Sequence, residues 1–587
     1  MGKVIFLVGF LTLLVSCVGF GFQFASFVGA ATTWTVDDDG PADFSTIQEA
    51  IDTASDGDTV FVKAGTYCEH VVVNRTISLL GENSNTTVVD GNWTGVVINV
   101  IRSRVIISGL TVQRSGSVYW ENAGIFLDNV ENCTVNENIL TENSFAGLVL
   151  NHAYRCVVSG NSIFDNSGVG ITLVGGGFNN LSRNNIAENG WSALTLNDEA
   201  HNNTISENSM TSNNLAVTGH CINLHRSSSN SIQKNNIAWD DNGIRLEYWS
   251  NYNTIAENNI TSNTLTGVSV EEYSNNNTIS GNMISGSISG VVISSSRYAE
   301  IFNNTIAHNY GDDWDAGIRL DSAGYSRIHS NLIVDNWRGV LLYTSSPHVS
   351  IYNNNITGNE FAIRVSSGGS NYLNVSDNIV MSNRGYGIGL TGFGSSSNYA
   401  TISRNLIINN SEGIALGQYS NYNTMLQNNI SRNGYGFYIE SSTQNTIQGN
   451  NIVDNDQQAY VSTGSVNNWD GGYPLGGNYW SDYDGTDLYS GSFQNITGSD
   501  GIGDSPHVID DNNTDRYPLM EPRIPRVLQS DLNIDGTVNI LDIAFVAIAF
   551  GSKEGDDNYN VLADLDENGE VIILDISIVA MDYGKTV

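Results

Sequence analysis

Apolar and polar residues alternate along most of this chain in runs of three to five, and the runs recur on a fixed beat. The stretch Asn253 to Val270 shows one beat: Ile255-x-x-Asn258-x-Ile260, a small polar corner, then Gly267-Val268-x-Val270. The same phrase stands at Ile232-x-x-Asn235-x-Ile237 before it and at Ile279-x-x-Asn282-x-Ile284 after it. The marker Asn recurs fourteen times from Asn138 to Asn450, in steps of 22 to 27 residues. A fixed period of this size is the signature of a solenoid. A period of two inside each run predicts short strands, not helices. Three strands and three corners fill one beat, which predicts a right-handed parallel β-helix.

One coil cannot bury its own apolar side, but a stack buries a continuous column, with coils about 4.8 Å apart. Fourteen coils at that rise give a rod of roughly 65 Å. Asn at a corner tolerates left-handed backbone angles and can hydrogen-bond its counterpart one coil away. A ladder of stacked Asn amides is therefore expected.

Composition narrows the partners. The chain has 587 residues, a formal charge of −37 and a pI near 4.3, which argues against nucleic acid and anionic membrane surfaces. Calcium, cationic groups and neutral polymers suit such a surface better. Of five cysteines, Cys17 lies in the apolar leader, and Cys133 and Cys156 occupy one coil position a turn apart. Directly stacked β-carbons sit too far apart for easy bridging, so two buried thiols are expected there.

Residues 1–31 read as a secretory leader: Lys3, an apolar run, and a small-residue exit at Gly29-Ala30-Ala31. A secreted or cell-surface location follows. Contact with a membrane would come only through an uncleaved leader or a lipidated Cys17. Residues 32–95 predict an N-terminal cap and the first coils, with a short amphipathic helix around Phe44 to Ile51. Residues 96–467 hold the coil array. Residues 468–522 break the beat with Trp469, Tyr473, Tyr479, Trp480 and Tyr483 set among glycines, and predict a C-terminal cap. A sugar or calcium site built on Asp470, Asp482, Asp484, Asp500 and Asp504 is the alternative there. Residues 523–529 form a linker, and residues 530–587 a small separate domain.

That last domain carries two calcium-loop patterns. Asp531, Asn533, Asp535, Thr537 (through its carbonyl), Asn539 and Asp542 occupy the ligand positions of a twelve-residue loop, with Gly536 at the turn. Asp564, Asp566, Asn568, Glu570 (carbonyl) and Asp575 repeat it, with a water needed where Ile572 stands at position nine. Two calcium ions are the expected cofactors, and each loop should run into an apolar helix, Ile543 to Phe550 and Ile576 to Met581. Paired loop-helix units at this spacing resemble a type I dockerin, which implies a cohesin-bearing partner. Asp in place of Glu at position twelve, and the lack of a leading helix, separate the loops from an ordinary EF-hand.

The entry segment, with its Thr46-Ile47-Gln48, Gly57-Asp58-Thr59 and Gly65-Thr66-Tyr67 series, resembles pectin-lyase-like β-helix proteins. The coil wording resembles the NosD family and the carbohydrate-binding and sugar hydrolysis repeats, and residues 468–522 resemble the end of archaeal NosD-like proteins. These resemblances imply the fold firmly and an activity only loosely.

In the Gly-Ile-x-Leu-x strand the two x positions should face outward. Across the middle coils they turn polar: Asn223 and His225, Arg245 and Glu247, Ser269 and Glu271, Arg319 and Asp321. Glu247 and Glu271 should lie about 5 Å apart at the backbone, a spacing that could serve the acid and nucleophile of a retaining glycosidase. With calcium present, Arg245 or Arg319 could instead assist proton abstraction beside a uronate carboxylate in a polysaccharide lyase. Charges on an exposed face are the plainer reading. His225, Tyr248, Trp249 and Tyr273 are the expected sugar contacts. Three functions remain open at this level: binding or processing of a polysaccharide or glycoprotein glycan; a non-catalytic adhesion role suited to sequons such as Asn74, Asn92, Asn276 and Asn355; and a NosD-like copper role.

Overall fold

The computed structural model describes residues 31–585, apart from 214–218, 313, 367–368, 393–396, 418, 523–529, 531, 533–537, 554–555, 557–558, 561–562 and 566–568. The leader with Cys17, the linker and much of both calcium loops lie outside these residues.

The chain winds into a mainly β, right-handed parallel solenoid. Each coil contributes one strand to each of three parallel sheets, here called A, B and C in the order the chain meets them. In the coil already quoted these strands are Thr254–Ala256, Asn259–Thr261 and Thr266–Val270. Every strand pairs in register with its counterpart one coil away, as Ile255 does with Ile232 and Ile279. The apolar columns therefore coincide: Ile232, Ile255, Ile279, Ile301 and Ile328 are all fully buried. Burying one such side chain is worth about 1.5–3 kcal/mol. Gly267 shows why glycine opens sheet C strands. A Cβ there would lie 2.5 Å from Ile284 Cγ2 and 2.7 Å from the Gly290 carbonyl oxygen.

Sheet A has 18 strands, more than the fourteen marked coils. The extra coils lie at the N-terminal end, where Glu82 and Leu110 stand at the marker position and the two preceding glycine backbones, Gly81 and Gly109, approach each other. The first is capped by α1 (Ile47–Thr53), which buries Ile47, Ala50 and Ile51 on the rod's open end. Its free N–H groups at Ile47 and Gln48 are taken by the Glu69 carboxylate at 2.8 and 3.0 Å.

The Asn ladder forms, with one correction to the expected backbone. Asn258 Nδ2 donates to Ile232 O at 2.9 Å and to Asn282 Oδ1 at 3.0 Å, while its own Oδ1 accepts from the Asn235 backbone N–H at 2.9 Å and from Asn235 Nδ2 at 3.0 Å. The left-handed residue is the one before it, Glu257 at φ 54°. That residue turns its side chain out to water, which frees the Asn to turn inward and satisfy the corner. Two further ladders, unmarked in the sequence reading, run along the other corners: Asn309–Asn336–Asn359 between sheets B and C, and Asn203–Asn230–Asn253 between C and A. Cys133 and Cys156 are buried free thiols.

At the far end Trp469 and Trp480 are buried against each other and against Phe437. The cap spends several of its aspartates on itself. Asp470 is gripped by Arg516 at 2.9 and 2.7 Å, and Asp504 accepts the Leu488 and Tyr489 N–H groups.

The C-terminal domain holds α2 (Ile540–Ala549) and α3 (Ile573–Asp582), each beginning three residues earlier than the sequence suggests. The cause is the last acid of each loop. Asp542 accepts the Leu532 and Asn539 N–H groups at 2.7 and 2.8 Å, and Asp575 accepts those of Leu565 and Ile572, both at 2.7 Å. Each carboxylate thus sits inside the first helical turn and caps it. The core gathers Leu532, Val538 and Val546 with Leu565, Val571 and Val579.

Candidate functional site: the outer face of sheet C

The outer face of sheet C carries the polar cluster that the sequence points to. Register places Asn223 beside Arg245, Arg245 beside Ser269, and His225 beside Glu247. Glu271 follows strand Thr266–Val270 and continues that column, its N–H donating to Leu246 O at 2.8 Å. Arg245 ties the group together. Its Nη2 lies 3.0 Å from Glu247 Oε2 and 2.9 Å from Glu271 Oε2, and its Nη1 donates to His220 Nε2 at 3.0 Å. Asn223 Nδ2 donates to Glu247 Oε1 at 3.2 Å, and His225 Nδ1 lies 3.4 Å from the same oxygen.

Glu247 is buried although it points away from the core. Burial, with the Arg245 charge beside it, pulls the His220 ring down to about 4, so at neutral pH it is uncharged and can accept from the guanidinium. Asn223 Oδ1, Arg245 Nε and Ser269 Oγ are buried without a hydrogen-bond partner. Polar atoms buried without a partner are costly.

His220 and Asn242 escaped the sequence reading. His220 opens its strand one residue before the expected phrase, and Cys221 replaces the glycine that marks the phrase elsewhere. Its register partner is Asn242.

Aromatic residues wall the floor at the corner after sheet C. Tyr248, Trp249 and Tyr273 are exposed, with Trp249 and Tyr273 stacked at 6.2 Å and His225 against Tyr248 at 4.8 Å. A hydrogen bond from Tyr248 to the Glu272 carboxylate raises the phenol above its usual range.

Arg319 and Asp321 stand apart from this cluster. They pair with each other at 2.6 Å, two coils beyond Ser269, with Val292 between, a separation of about 10 Å. Burial lifts Asp321 above the usual carboxylate range in spite of Arg319. Sequence reasoning placed all five charged groups in one site; the structure divides them between two.

Of the calcium-loop residues, Asn539, Asp542, Asp564, Glu570 and Asp575 are described, and Asp531, Asn533, Asp535, Thr537, Asp566 and Asn568 are not. Asp542, Asp564 and Asp575 are buried carboxylates. Asp564 Oδ2 accepts from Tyr559 Oη and from Gly569 N, both at 2.7 Å. The Glu570 side chain turns to Lys553 at 2.7 Å, away from any ligand role of its own, as a carbonyl donor requires.

Fold and repeat together define a β-solenoid protein of the three-sheet class, with a polar face on one sheet. The chain belongs to the NosD family, described as periplasmic copper-binding protein (NosD), whose profile matches residues 51–235, 217–377 and 364–485. No curated protein matches the chain. Among solved structures it is similar to the A-module of mannuronan C-5 epimerase AlgE4 from Azotobacter vinelandii, at 18% identity and TM-score 0.37, covering 52% of this chain and 94% of that one. It is also similar to pectate lyase Pel9A, at 14% identity and TM-score 0.33, covering 57% and 80%. An alginate lyase from Paenibacillus gives 11% identity and TM-score 0.33, covering 50% and 99%.

Proposed function

We propose that this is a secreted or envelope-exposed protein that binds or processes polysaccharide along the outer face of sheet C. The observation that carries the reading is the Arg245 bridge between Glu247 and Glu271. It fixes two carboxylates on an outer face with unpaired polar atoms, beside exposed Trp249 and Tyr273. Sugar hydroxyls pair with such carboxylates, and sugar faces stack on such rings. Glu247 and Glu271 are the residues assigned to acid–base or nucleophilic work, with Arg319 and Asp321 serving a neighbouring stretch of the polymer. The experiment is a reducing-sugar and unsaturated-product assay across uronate and neutral polysaccharides, run beside a glycan array. Binding without products makes the protein a lectin-like adhesin; neither binding nor products removes the reading.

In this proposal the C-terminal domain binds two calcium ions and docks to a cohesin-bearing partner. Supporting it are exposed apolar residues that repeat between the two halves: Ile540 and Ile573, Ile548 and Met581, Phe550 and Tyr583. Two equivalent apolar sets on one small domain suit a docking face. Calorimetry with and without calcium, followed by cohesin pull-down, tests it.

The family description favours copper handling as the second reading. Among the described residues, the one group of three or more acidic, His or Cys side chains close enough to share an ion is Asp37, Asp38 and Asp39, an all-oxygen set poorly matched to soft metals. Copper titration followed by electron paramagnetic resonance decides it.

A further inference from the structure

Five of the chain's ten tryptophans, Trp93, Trp120, Trp191, Trp239 and Trp314, are exposed on one edge of the rod, the corner that leads from sheet B into sheet C. Single exposed rings are ordinary on a protein surface, but five on one of three corners make a patch that a ligand can cover. The backbone puts two of them there. Trp120 and Trp239 take the left-handed angles, φ 64° and 66°, that turn Glu257 out to water at another corner.

The centre of this edge is pre-assembled. Phe145 is buried, and Tyr119, Trp120 and Trp191 gather on it at ring distances of 4.7, 5.4 and 6.1 Å. Tyr119 lies a further 4.9 Å from Trp120 and 5.5 Å from Trp191. Tyr119 and Trp120 come from the loop before strand Ala123–Asp128. Trp191 comes from the corner before Ser192–Asn197, three coils or about 14 Å along the rod. Gly168, on the coil between Phe145 and Trp191, keeps the gap open. A Cβ there would collide with the Phe145 carbonyl oxygen and lie 3.3 Å from Phe145 Cδ2. Rings fixed this way lose little freedom when a ligand covers them. Trp239, two coils past Trp191, is 67% exposed and extends the line.

Carboxylates are set among the rings. Glu142, Asp165 and Glu188 are exposed at left-handed positions of the same corner on three successive coils, at φ 53°, 54° and 56°. A dry protein interface excludes such acids from its centre. They also repel polyanions and anionic membrane surfaces, on a chain already at −37. An uncharged sugar polymer suits both features, because its C–H faces lie on rings and its hydroxyl edges donate to carboxylates. We infer that this corner is a binding track for an uncharged polysaccharide chain, centred on Trp120 and Trp191 and continued by Trp239, along the border of sheet C. This rests on the polysaccharide reading above and adds to it a second contact surface and a polymer without charge.

The test is affinity electrophoresis of the full chain in native gels that hold laminarin, mannan, galactan or polygalacturonate, read as retardation against polymer concentration. One variant combines Trp120→Ala with Trp191→Ala. The other is Trp239→Ala alone, which leaves the Phe145 cluster whole. Both are checked for an unchanged melting temperature. At least one neutral polymer should retard the wild type, with a dissociation constant at least about tenfold weaker in the double variant and about threefold weaker in Trp239→Ala. Polygalacturonate should retard none of them. Neutral-polymer retardation that neither variant changes overturns the track; if Arg245→Leu abolishes it, the sheet C reading stands. Polygalacturonate retardation that the double variant loses overturns the uncharged assignment. A dimer in light scattering that the double variant turns into a monomer makes the corner a contact between copies and overturns the glycan track. No retardation by any polymer overturns both readings.

Discussion

Asp240 occupies in its coil the buried corner that Asn263 occupies in the next, and its N–H donates to the Asn263 Oδ1 at 3.3 Å. An acid here stands in a ladder of amides. Burial pushes its carboxyl up to about 7, against the weaker opposing pull of Cys221 and the Asn213 N–H, while Asp241 pushes the same way as burial. The folded-state value is therefore raised above the unfolded one near 3.8. The stability contributed by neutral Asp240 is complete below about 4, is lost as pH rises to about 7, and stays lost above. Asp240→Asn should flatten the fall in melting temperature between pH 4 and 8, recovering of order a few kcal/mol at the alkaline end. Parallel pH profiles of wild type and variant would refute the assignment.

The ladder itself is testable at Asn354. Its side chain donates to Ile328 O and Asn378 Oδ1 and accepts from Asn331. Asn354→Leu has the right size and strands these groups at about 1–3 kcal/mol each. The urea midpoint should drop by an amount measurable in a single titration. An unchanged midpoint would mean that the corner amides are satisfied some other way.

Whole coils should be dispensable where fractions of coils are not. Deleting Ile255–Thr278 removes one period and leaves Thr254 joined to Ile279 in the register it already keeps with Thr278. Deleting half of that segment turns inward faces outward. Proteolysis and circular dichroism should find the first variant folded and the second not.

For the polar face, Glu247→Gln should reduce the rate of any polysaccharide cleavage at least about a hundredfold, the scale of lost acid–base catalysis. Arg245→Leu should cost binding as well, because it releases Glu247 and Glu271 together. Full turnover in both Glu247→Gln and Glu271→Gln would place the chemistry on another coil.

The C-terminal domain should fold through its metal. It has a small core and acids concentrated on two loops, so calcium binding free energy becomes folding free energy. In the full chain, scanning calorimetry should show a separate minor transition that disappears in chelator and in the double variant Asp531→Ala, Asp564→Ala, with the main transition of the rod unmoved. A minor transition that survives chelator would end the metal-coupled view.

The rod was legible because its information is repeated. Ile255 and Asn258 each say the same thing in coil after coil, so local ambiguity averages out. What escaped was information stated once. The first coils carry Glu82 and Leu110 where later coils carry the marker. His220 hides behind a cysteine in place of glycine. The division of the charged residues into two groups turns on one residue, Val292, which fills the outward position of the coil between them.

The ladders have a direction. Each Asn sends its Nδ2 to the oxygen of the coil that follows and receives on its own oxygen from the coil before, so the amide dipoles add along the rod as peptide dipoles do along a helix. The positive end lies at the last coil, where no further amide waits to accept. There the A–B ladder closes on an acid: Asn478 N–H donates to Asp515 Oδ2 at 2.7 Å. The C–A ladder does the same, with Asn513 Nδ2 held between Asp510 Oδ1 at 3.0 Å and Oδ2 at 2.9 Å. A carboxylate accepts without needing to donate onward, so it stops the series without leaving a stranded group. The cap is thus an electrical terminus as well as a lid, and the rod has a head and a tail that cannot be exchanged.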